Sequence, residues 1–534
     1  MGNHWLTGLV AAMALNGCTA NPFLIKTRRD PLSGPLESFV SFSIELSSFV
    51  DYAGNLSIPN IFSYNLLSNF EKLMGSKPYV RVGGNTQDFA LYNASLKEAI
   101  NGIYDLKRSK DYPTTIYIGD SFFESYKTWP GVKFSHGFNL EKGAVSAEGW
   151  QTLKRTAELA CKALGNNNLD VWEYGNEPNN FPTAVQGPTR PKGWSAKDYT
   201  NEWLNGTREI QEQIRKHCPT LADSAFMAPS YDARATKLNA TQVWGYGLDK
   251  RNNIKWYSVH NYIDGATSPG VTLQGTLMNH SRTIRDVDGQ AAEYKRAMGT
   301  NHGDAPLIFG ETNSLYSQGK PGLSNSFGAA LWVVDFNLYS ASAGFRRVHM
   351  HQGTDYRYQA FQPVDTNKTT KGTKAPYYGS IGVAAALGDV TKSSVSVSSV
   401  PMSSDRETAY AIYEDGYLKR LMVINMHGYN TTRDGAGLHP LPDPPGRGSW
   451  DFSFSPQDLK QHVSFRVQRL MANGSDAITG ITFDGWSYNW ELDNGNPVRL
   501  HNTTTGEMVK SKHGVFTVRV PDSSAALLHM GYDD

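Results

Sequence analysis

Leu169-Asp170-Val171-Trp172-Glu173-Tyr174-Gly175-Asn176-Glu177-Pro178-Asn179 is an apolar strand that runs directly into Asn-Glu-Pro. A strand that ends on a carboxylate is how parallel barrels hold reactive groups at their C-terminal rim. Pro306-Leu307-Ile308-Phe309-Gly310-Glu311-Thr312-Asn313 repeats the arrangement further on. Working outward from these two, strand-like runs occupy Phe39–Leu46, Tyr79–Val82, Thr115–Ile118, Val171–Tyr174, Ser224–Ala228, Trp256–His260, Leu307–Gly310 and Arg347–His351. Helix-like stretches lie between several of them, at Ser146–Ala163, Ala196–His217, Gln290–Gly299 and Ser324–Ala343. About eight strands separated by helices predict an α/β fold, a (β/α)8 barrel with insertions. A doubly wound sheet is the alternative, but no Gly-x-Gly-x-x-Gly follows an early strand.

The pattern changes near residue 390. Short alternating strands then follow at Val395–Val400, Ala409–Tyr413, Arg420–Met426, His462–Leu470, Ala477–Phe483, Val515–Val520 and Ala525–His529, with a Pro/Gly-rich loop at Gly435–Gly448. This predicts a catalytic barrel over residues 21–385 and an antiparallel β-sandwich over 386–534. Residues from about 21 to 35 precede the first barrel strand and are placed to add an edge strand to the β domain.

A chain of 534 residues is long enough for two such cores. Its net charge of +1 provides no long-range field for a polyanion, and its short basic groups do not form a nucleic-acid footprint. Trp5–Leu15 has the length of a signal-peptide apolar core and is too short to span a membrane; Cys18 and Ala20 then suit cleavage after residue 20. The run lacks a basic leader, and Leu15-Asn16-Gly17-Cys18 partly matches a lipoprotein box. Asn-x-Ser/Thr sequons at Asn55, Asn93, Asn205, Asn239, Asn279, Asn367, Asn430, Asn473 and Asn502 point the same way, to a secreted glycoprotein. After cleavage only Cys161 and Cys218 remain. They are able to pair in an oxidising compartment, and two buried free thiols are the other reading.

Two rim carboxylates suit one chemistry in particular. Retaining glycoside hydrolysis needs two carboxyl groups about 5–5.5 Å apart, one protonated to assist the leaving oxygen and one ionised to attack the anomeric carbon. At Glu177 and Glu311 the chain resembles the clan A glycoside hydrolases. It is more similar still to glycoside hydrolase family 79, the β-glucuronidase and heparanase family. Arg81-Val82-Gly83-Gly84-Asn85-Thr86-Gln87-Asp88, Gly175-Asn176-Glu177-Pro178-Asn179, Ser258-Val259-His260-Asn261-Tyr262 and Gly310-Glu311-Thr312-Asn313-Ser314-Leu315-Tyr316 carry the likeness.

The resemblance implies Glu177 as acid/base and Glu311 as nucleophile, with Asn176 on the sugar 2-hydroxyl. It places Glu45 and Asn85 against sugar hydroxyls and His260 as a brace of the site. Tyr262, Tyr316, Tyr356 and Tyr358 would face a uronate carboxylate. One stretch departs from the heparanase-like pattern: Tyr316-Ser317-Gln318-Gly319 has fewer glycines where backbone N–H groups help hold that carboxylate.

No cofactor or metal is implied, since zinc-type Cys/His spacing and a P-loop are both missing from the sequence. The expected activity is exo-β-glucuronidase action on glucuronide-terminated glycans, including 4-O-methylated ends. The balanced charge weighs against a heparanase-like endo-enzyme for sulfated polyanions. A different clan A β-glycosidase and a non-catalytic sugar-binding barrel are the further alternatives.

Overall fold

The computed structural model describes residues 21–29, 34–143, 145–183, 187–233, 238–301, 303–457 and 463–532. The expected signal peptide, residues 1–20, lies outside the described residues. Eight parallel strands close a barrel: β1 (Val40–Glu45), β2 (Val80–Gly83), β3 (Phe134–Phe138), β4 (Leu169–Tyr174), β5 (Phe226–Asp232), β6 (Ile254–Gly265), β7 (Leu307–Tyr316) and β8 (Val348–Gln352). They follow one another around the wall in chain order, and β8 pairs with β1 through Val348↔Val40 to Gln352↔Ile44. Strands β1, β2, β3 and β8 are buried along their whole length. Inward side chains fill the barrel while outward ones meet the helices, so neither face needs to be polar.

The third strand corrects the sequence reading. Thr115–Ile118 has the stronger β composition, yet it pairs with Ala90–Tyr92 and Ile100–Ile103 in a small sheet outside the barrel. The barrel strand is instead Phe134-Ser135-His136-Gly137-Phe138. Its Ser, His and Gly resemble a turn, but all five residues are buried. A β-carbon at Gly137 would lie 2.0 Å from Gln87 Oε1, so packing inside the barrel requires glycine there.

The helical layer includes α1 (Ala147–Asn168), α2 (Ala196–His217), α3 (His280–Asn301), α4 (Phe327–Ser342) and α5 (Ala375–Leu387). A Ser195/Asp198 capping box starts α2, and Arg215, Lys216 and His217 complement its C-terminal dipole. Cys161 on α1 and Cys218 just past α2 form a disulfide, which resolves the open question about these residues. α4 and α5 are apolar nearly all round because they are covered twice, packing on each other and against both the barrel and the C-terminal domain.

That domain holds β9 (Val395–Val400), β10 (Glu407–Glu414), β11 (Tyr417–Asn425), β12 (Ser449–Pro456), β13 (Val463–Met471), β14 (Phe516–Pro521) and β15 (Ser524–Tyr532). The larger antiparallel sheet runs β9-β10-β11-β15-β13 and continues through shorter strands. The smaller sheet contains β12, β14 and the strand Phe23–Ile25, which pairs in parallel with Phe454–Pro456. Ile25, Ala409, Val423, Phe452, Phe454, Phe465, Val518 and Leu528 fill the space between the two sheets. β12 is absent from the sequence reading, although Trp450, Phe452 and Phe454 alternate with polar residues. Ala477–Phe483 shrinks to Thr482–Phe483, because Gly480 at φ 69° interrupts the extended run.

Candidate active site

Glu177 and Glu311 emerge on the same rim, just past the end of β4 and within β7. One carboxylate oxygen of each, together with a ring nitrogen of His260, lies within 4.8 Å of the others. Oxygens this close fit the roughly 5–5.5 Å carboxyl separation of a retaining pair better than the roughly 6.5–9.5 Å of an inverting one. The pair opens into a cavity of about 510 Å³ lined by Glu45, Asn85, Asn176, Tyr316 and Tyr358 among others.

Glu311 is held on both oxygens. Arg81 Nη1 donates to Oε2 at 2.6 Å and the Tyr262 hydroxyl donates to Oε1 at 2.7 Å. Burial alone would raise its pKa; His351, His260, the Arg81 guanidinium and the Tyr262 hydroxyl reverse this and hold it well below the usual carboxylate range. A carboxylate kept ionised in this way suits nucleophilic attack.

Glu177 has a different environment. Asn180 Nδ2 donates to its Oε2 at 3.2 Å, and His260 Nδ1 lies 3.2 Å from its Oε1. Burial lowers the His260 pKa to about 3, so the ring beside Glu177 is neutral at ordinary pH. Glu311, in contrast, has the buried Arg81 guanidinium on one oxygen and the Tyr262 hydroxyl on the other. Glu177, His260 and Glu311 also present donor atoms a cation would accept. Arg81 already supplies positive charge there, which disfavours a second cation.

Arg81, at the head of the Arg-x-Gly-Gly segment, is the hub of the site and lies outside the residues expected from the sequence. It is fully buried and also meets Glu173, Ser43 and Asn176 Oδ1. Burial would lower its pKa, but Glu173 and Glu311 raise it, so the guanidinium stays charged. His351, likewise missed, lies 3.4 Å from Glu45 Oε2 and 3.5 Å from Glu311 Oε2. Its signal is a histidine on the eighth strand, which only the closed barrel brings opposite Glu45.

The remaining expected residues divide by position. Glu45 Oε1 accepts from Thr86 N and Oγ1, and its Oε2 accepts from the Tyr356 hydroxyl at 3.1 Å. A β-carbon on Gly84, at φ 83°, would strike that carboxylate. Asn176 Nδ2 donates to Asn85 Oδ1 at 3.1 Å, which joins the two expected sugar contacts. Tyr262, Tyr356 and Tyr358 cluster with Tyr112, and Tyr316 packs against the cluster. Tyr262 and Tyr356 direct their hydroxyls to Glu311 and Glu45, while Tyr316, its hydroxyl 3.2 Å from Ser268 Oγ, and Tyr358 line the cavity. His260 braces Glu177 directly and neighbours Glu311 in strand register.

The glycine-poor stretch keeps the backbone shape that glycine would favour. Ser317, Gln318 and Gly319 are all left-handed, at φ 62°, 61° and 81°. Arg357 holds them there: its N donates to Gln318 O, its Nε to Gly319 O and its Nη2 to Ser317 O, while Nη1 pairs with Asp111 at 2.6 Å.

Residues 409–527 match the glycosyl hydrolase family 79 C-terminal beta domain. A β-glucuronidase of Neurospora crassa is 56% identical over 494 residues, covering 89% of this chain and 88% of that protein. A β-glucuronidase of Aspergillus niger is 50% identical over 500 residues, covering 93% and 91%. Among solved structures, a 4-O-α-L-rhamnosyl-β-D-glucuronidase from Fusarium oxysporum superposes with a TM-score of 0.73 at 22% identity, covering 95% of this chain and 100% of that one. A family 51 α-L-arabinofuranosidase from Bifidobacterium longum gives 0.57 at 13%, covering 96% and 99%. These two likenesses concern the fold.

Proposed function

Since the chain belongs to glycoside hydrolase family 79, we propose that it is a retaining exo-β-glucuronidase acting on glucuronide-terminated glycans. The observation that carries this reading is the Glu177–Glu311 pair, close enough for double displacement, with Glu311 held ionised by the groups around it. Glu311, aligned by Arg81 and Tyr262, attacks the anomeric carbon. Glu177 in its protonated form gives its proton to the leaving oxygen, and the resulting carboxylate then deprotonates the water that releases glucuronate. Asn176 and Asn85 meet the hydroxyls next to the reacting carbon, and Glu45 those further round the ring. Tyr316, Tyr358 and the backbone at Ser317–Gly319 receive the uronate carboxylate.

The reading of a secreted glycoprotein is supported by the apolar leader and the sequons. The Cys161–Cys218 disulfide is consistent with it, since such bonds persist in oxidising compartments. Among the described residues no helix is long and apolar enough to cross a membrane.

The test is turnover of an aryl β-D-glucuronide against the matching β-D-glucoside, by wild type and by Glu311→Ala. Glucuronide cleavage that the substitution abolishes is the expected result. Equal turnover of both glycosides, or activity surviving in Glu311→Ala, would overturn the reading.

A further inference from the structure

The turn that carries Glu177 is held in an unfavourable backbone shape by its surroundings. Gly175 lies at φ 89° and Glu177 at φ 48°, a left-handed conformation that a residue with a β-carbon keeps only where neighbouring groups over-determine it. Three backbone N–H groups fix this turn. Gly175 N donates to Phe138 O at 3.0 Å and Glu177 N donates to Ser230 O at 3.0 Å. Between them, Asn176 N donates to Asp88 Oδ2 at 2.7 Å. The first and last bonds end on main chain of the neighbouring strands; only the middle one ends on a side chain.

That side chain does more than cap one amide. Asp88 Oδ1 also accepts from Leu140 N at 2.7 Å and from Glu141 N at 3.1 Å. A single carboxylate on the turn after β2 therefore binds the segments after β3 and β4 together, and it is 2% exposed at the edge of the catalytic cavity. The Asn176 side chain is fixed as well, by Arg81 Nη2 on Oδ1 at 2.7 Å and by Asn85 on the other side. With backbone and side chain of Asn176 both immobilised, the direction of the next residue is determined.

The geometry points to Asp88 as a positioning residue for acid catalysis: its carboxylate clamps the Asn176 amide and so aims Glu177 at the glycosidic oxygen. This rests on Glu177 being the acid/base. Asp88 accepts from the backbone amides of Leu140, Glu141 and Asn176, so it acts through the turn. Asparagine at this position would keep one acceptor oxygen and turn an NH2 group toward a backbone N–H. At least one of the three bonds would then be lost.

A merely structural role and a positioning role differ in how the damage depends on the leaving group. A nitrophenolate departs with little help from an acid, whereas an alkyl or sugar alcohol must be protonated as the bond breaks. The experiment compares kcat/KM, which reads the leaving-group step, for an activated aryl β-D-glucuronide and an alkyl β-D-glucuronide in wild type, Asp88→Asn and Asp88→Glu, with melting temperatures of all three. Asp88→Asn should lose on the order of tenfold or more with the alkyl substrate and several-fold less with the aryl one, as a misaimed general acid would. Asp88→Glu, which keeps the carboxyl group but moves it by a methylene, should fall between wild type and Asp88→Asn. Equal losses on both substrates, or wild-type kinetics in Asp88→Asn, would overturn the assignment. A wild type inactive on both glucuronides would instead overturn the activity itself, so the two failures are distinct.

Discussion

Arg81 stands between two buried carboxylates, donating to Glu311 Oε2 at 2.6 Å through Nη1 and to Glu173 Oε2 at 2.8 Å through Nε. The charge of Glu311 is therefore tied to a group deep in the barrel wall. Replacing Arg81 by Met leaves two buried carboxyl groups without their cation, a loss of about 3–5 kcal/mol when one member of a buried pair is removed. Arg81→Met should lower both the melting temperature and kcat, the latter on the order of 100-fold or more as Glu311 takes up a proton. Arg81→Lys restores the charge without the planar fork and should recover stability better than activity. Kinetics and thermal melts of the two variants check this; a Met variant with normal kcat would refute it.

Two buried acids near the Glu177 turn titrate in the opposite direction. Burial raises Asp88 to about 7, against the three backbone N–H groups that favour its ionised form, and raises Glu141 to about 8, with the Asp88 charge adding to the latter. In an unfolded chain both groups titrate at roughly 4. The folded protein thus holds protons that the unfolded chain has released, and stability falls as pH rises from about 4 to 8. Glu311 has the reverse sign: its contribution is present above about pH 4 and is lost as the solution becomes more acid. The melting temperature should peak in mild acid and decline by several degrees toward alkaline pH. Glu141→Gln should flatten that decline; a melting temperature that rises steadily to about pH 8 would contradict the prediction.

Arg357 holds three left-handed residues at the cavity wall, and its loss should act on binding rather than on chemistry. Arg357→Gln removes the donors to Ser317 O and Gly319 O and the pair with Asp111. KM for a glucuronide should rise about tenfold, with kcat changed much less, as expected when a contact common to ground and transition states is loosened. A fall confined to kcat would place Arg357 in the catalytic machinery instead.

The disulfide closes a separation of 57 residues. Chain entropy predicts about 4 kcal/mol for such a loop, within a usual range of roughly 2–4. Both cysteines lie toward the C-terminal ends of helices that lead into the starts of β4 and β5, at the end of the barrel away from Glu177. Cys161→Ser with Cys218→Ser should therefore melt at lower temperature while keeping wild-type kcat/KM at 25 °C. Changed kinetics at that temperature would show coupling to the site.

What was legible in the sequence followed from local signals. β4 and β7 were readable because each is a short apolar run ending at a carboxylate, and the barrel mouth followed from their positions. β3 was not, because Phe134–Phe138 owes its place to Gln87 and the barrel interior rather than to its own composition. Among the site residues, Glu177 and Glu311 stood in motifs. Arg81 and His351 depend on strands far apart in the chain, which meet only when the barrel closes. Asp88 stood in a quoted segment, but what reveals its position is a pair of backbone amides about fifty residues away and a third about ninety.

Phe23–Ile25 belongs to the sheet of β12 and β14. On a ribosome it leaves the tunnel before any barrel strand, yet its partner Phe454–Pro456 is among the last segments made. Its backbone groups must therefore wait, hydrated and unpaired, while the whole barrel is synthesised. The sandwich can be completed only after translation has nearly finished. Barrel and β domain are thus joined in time as well as in space, and a barrel expressed without residues 386–534 would be left with a strand that has no sheet to join.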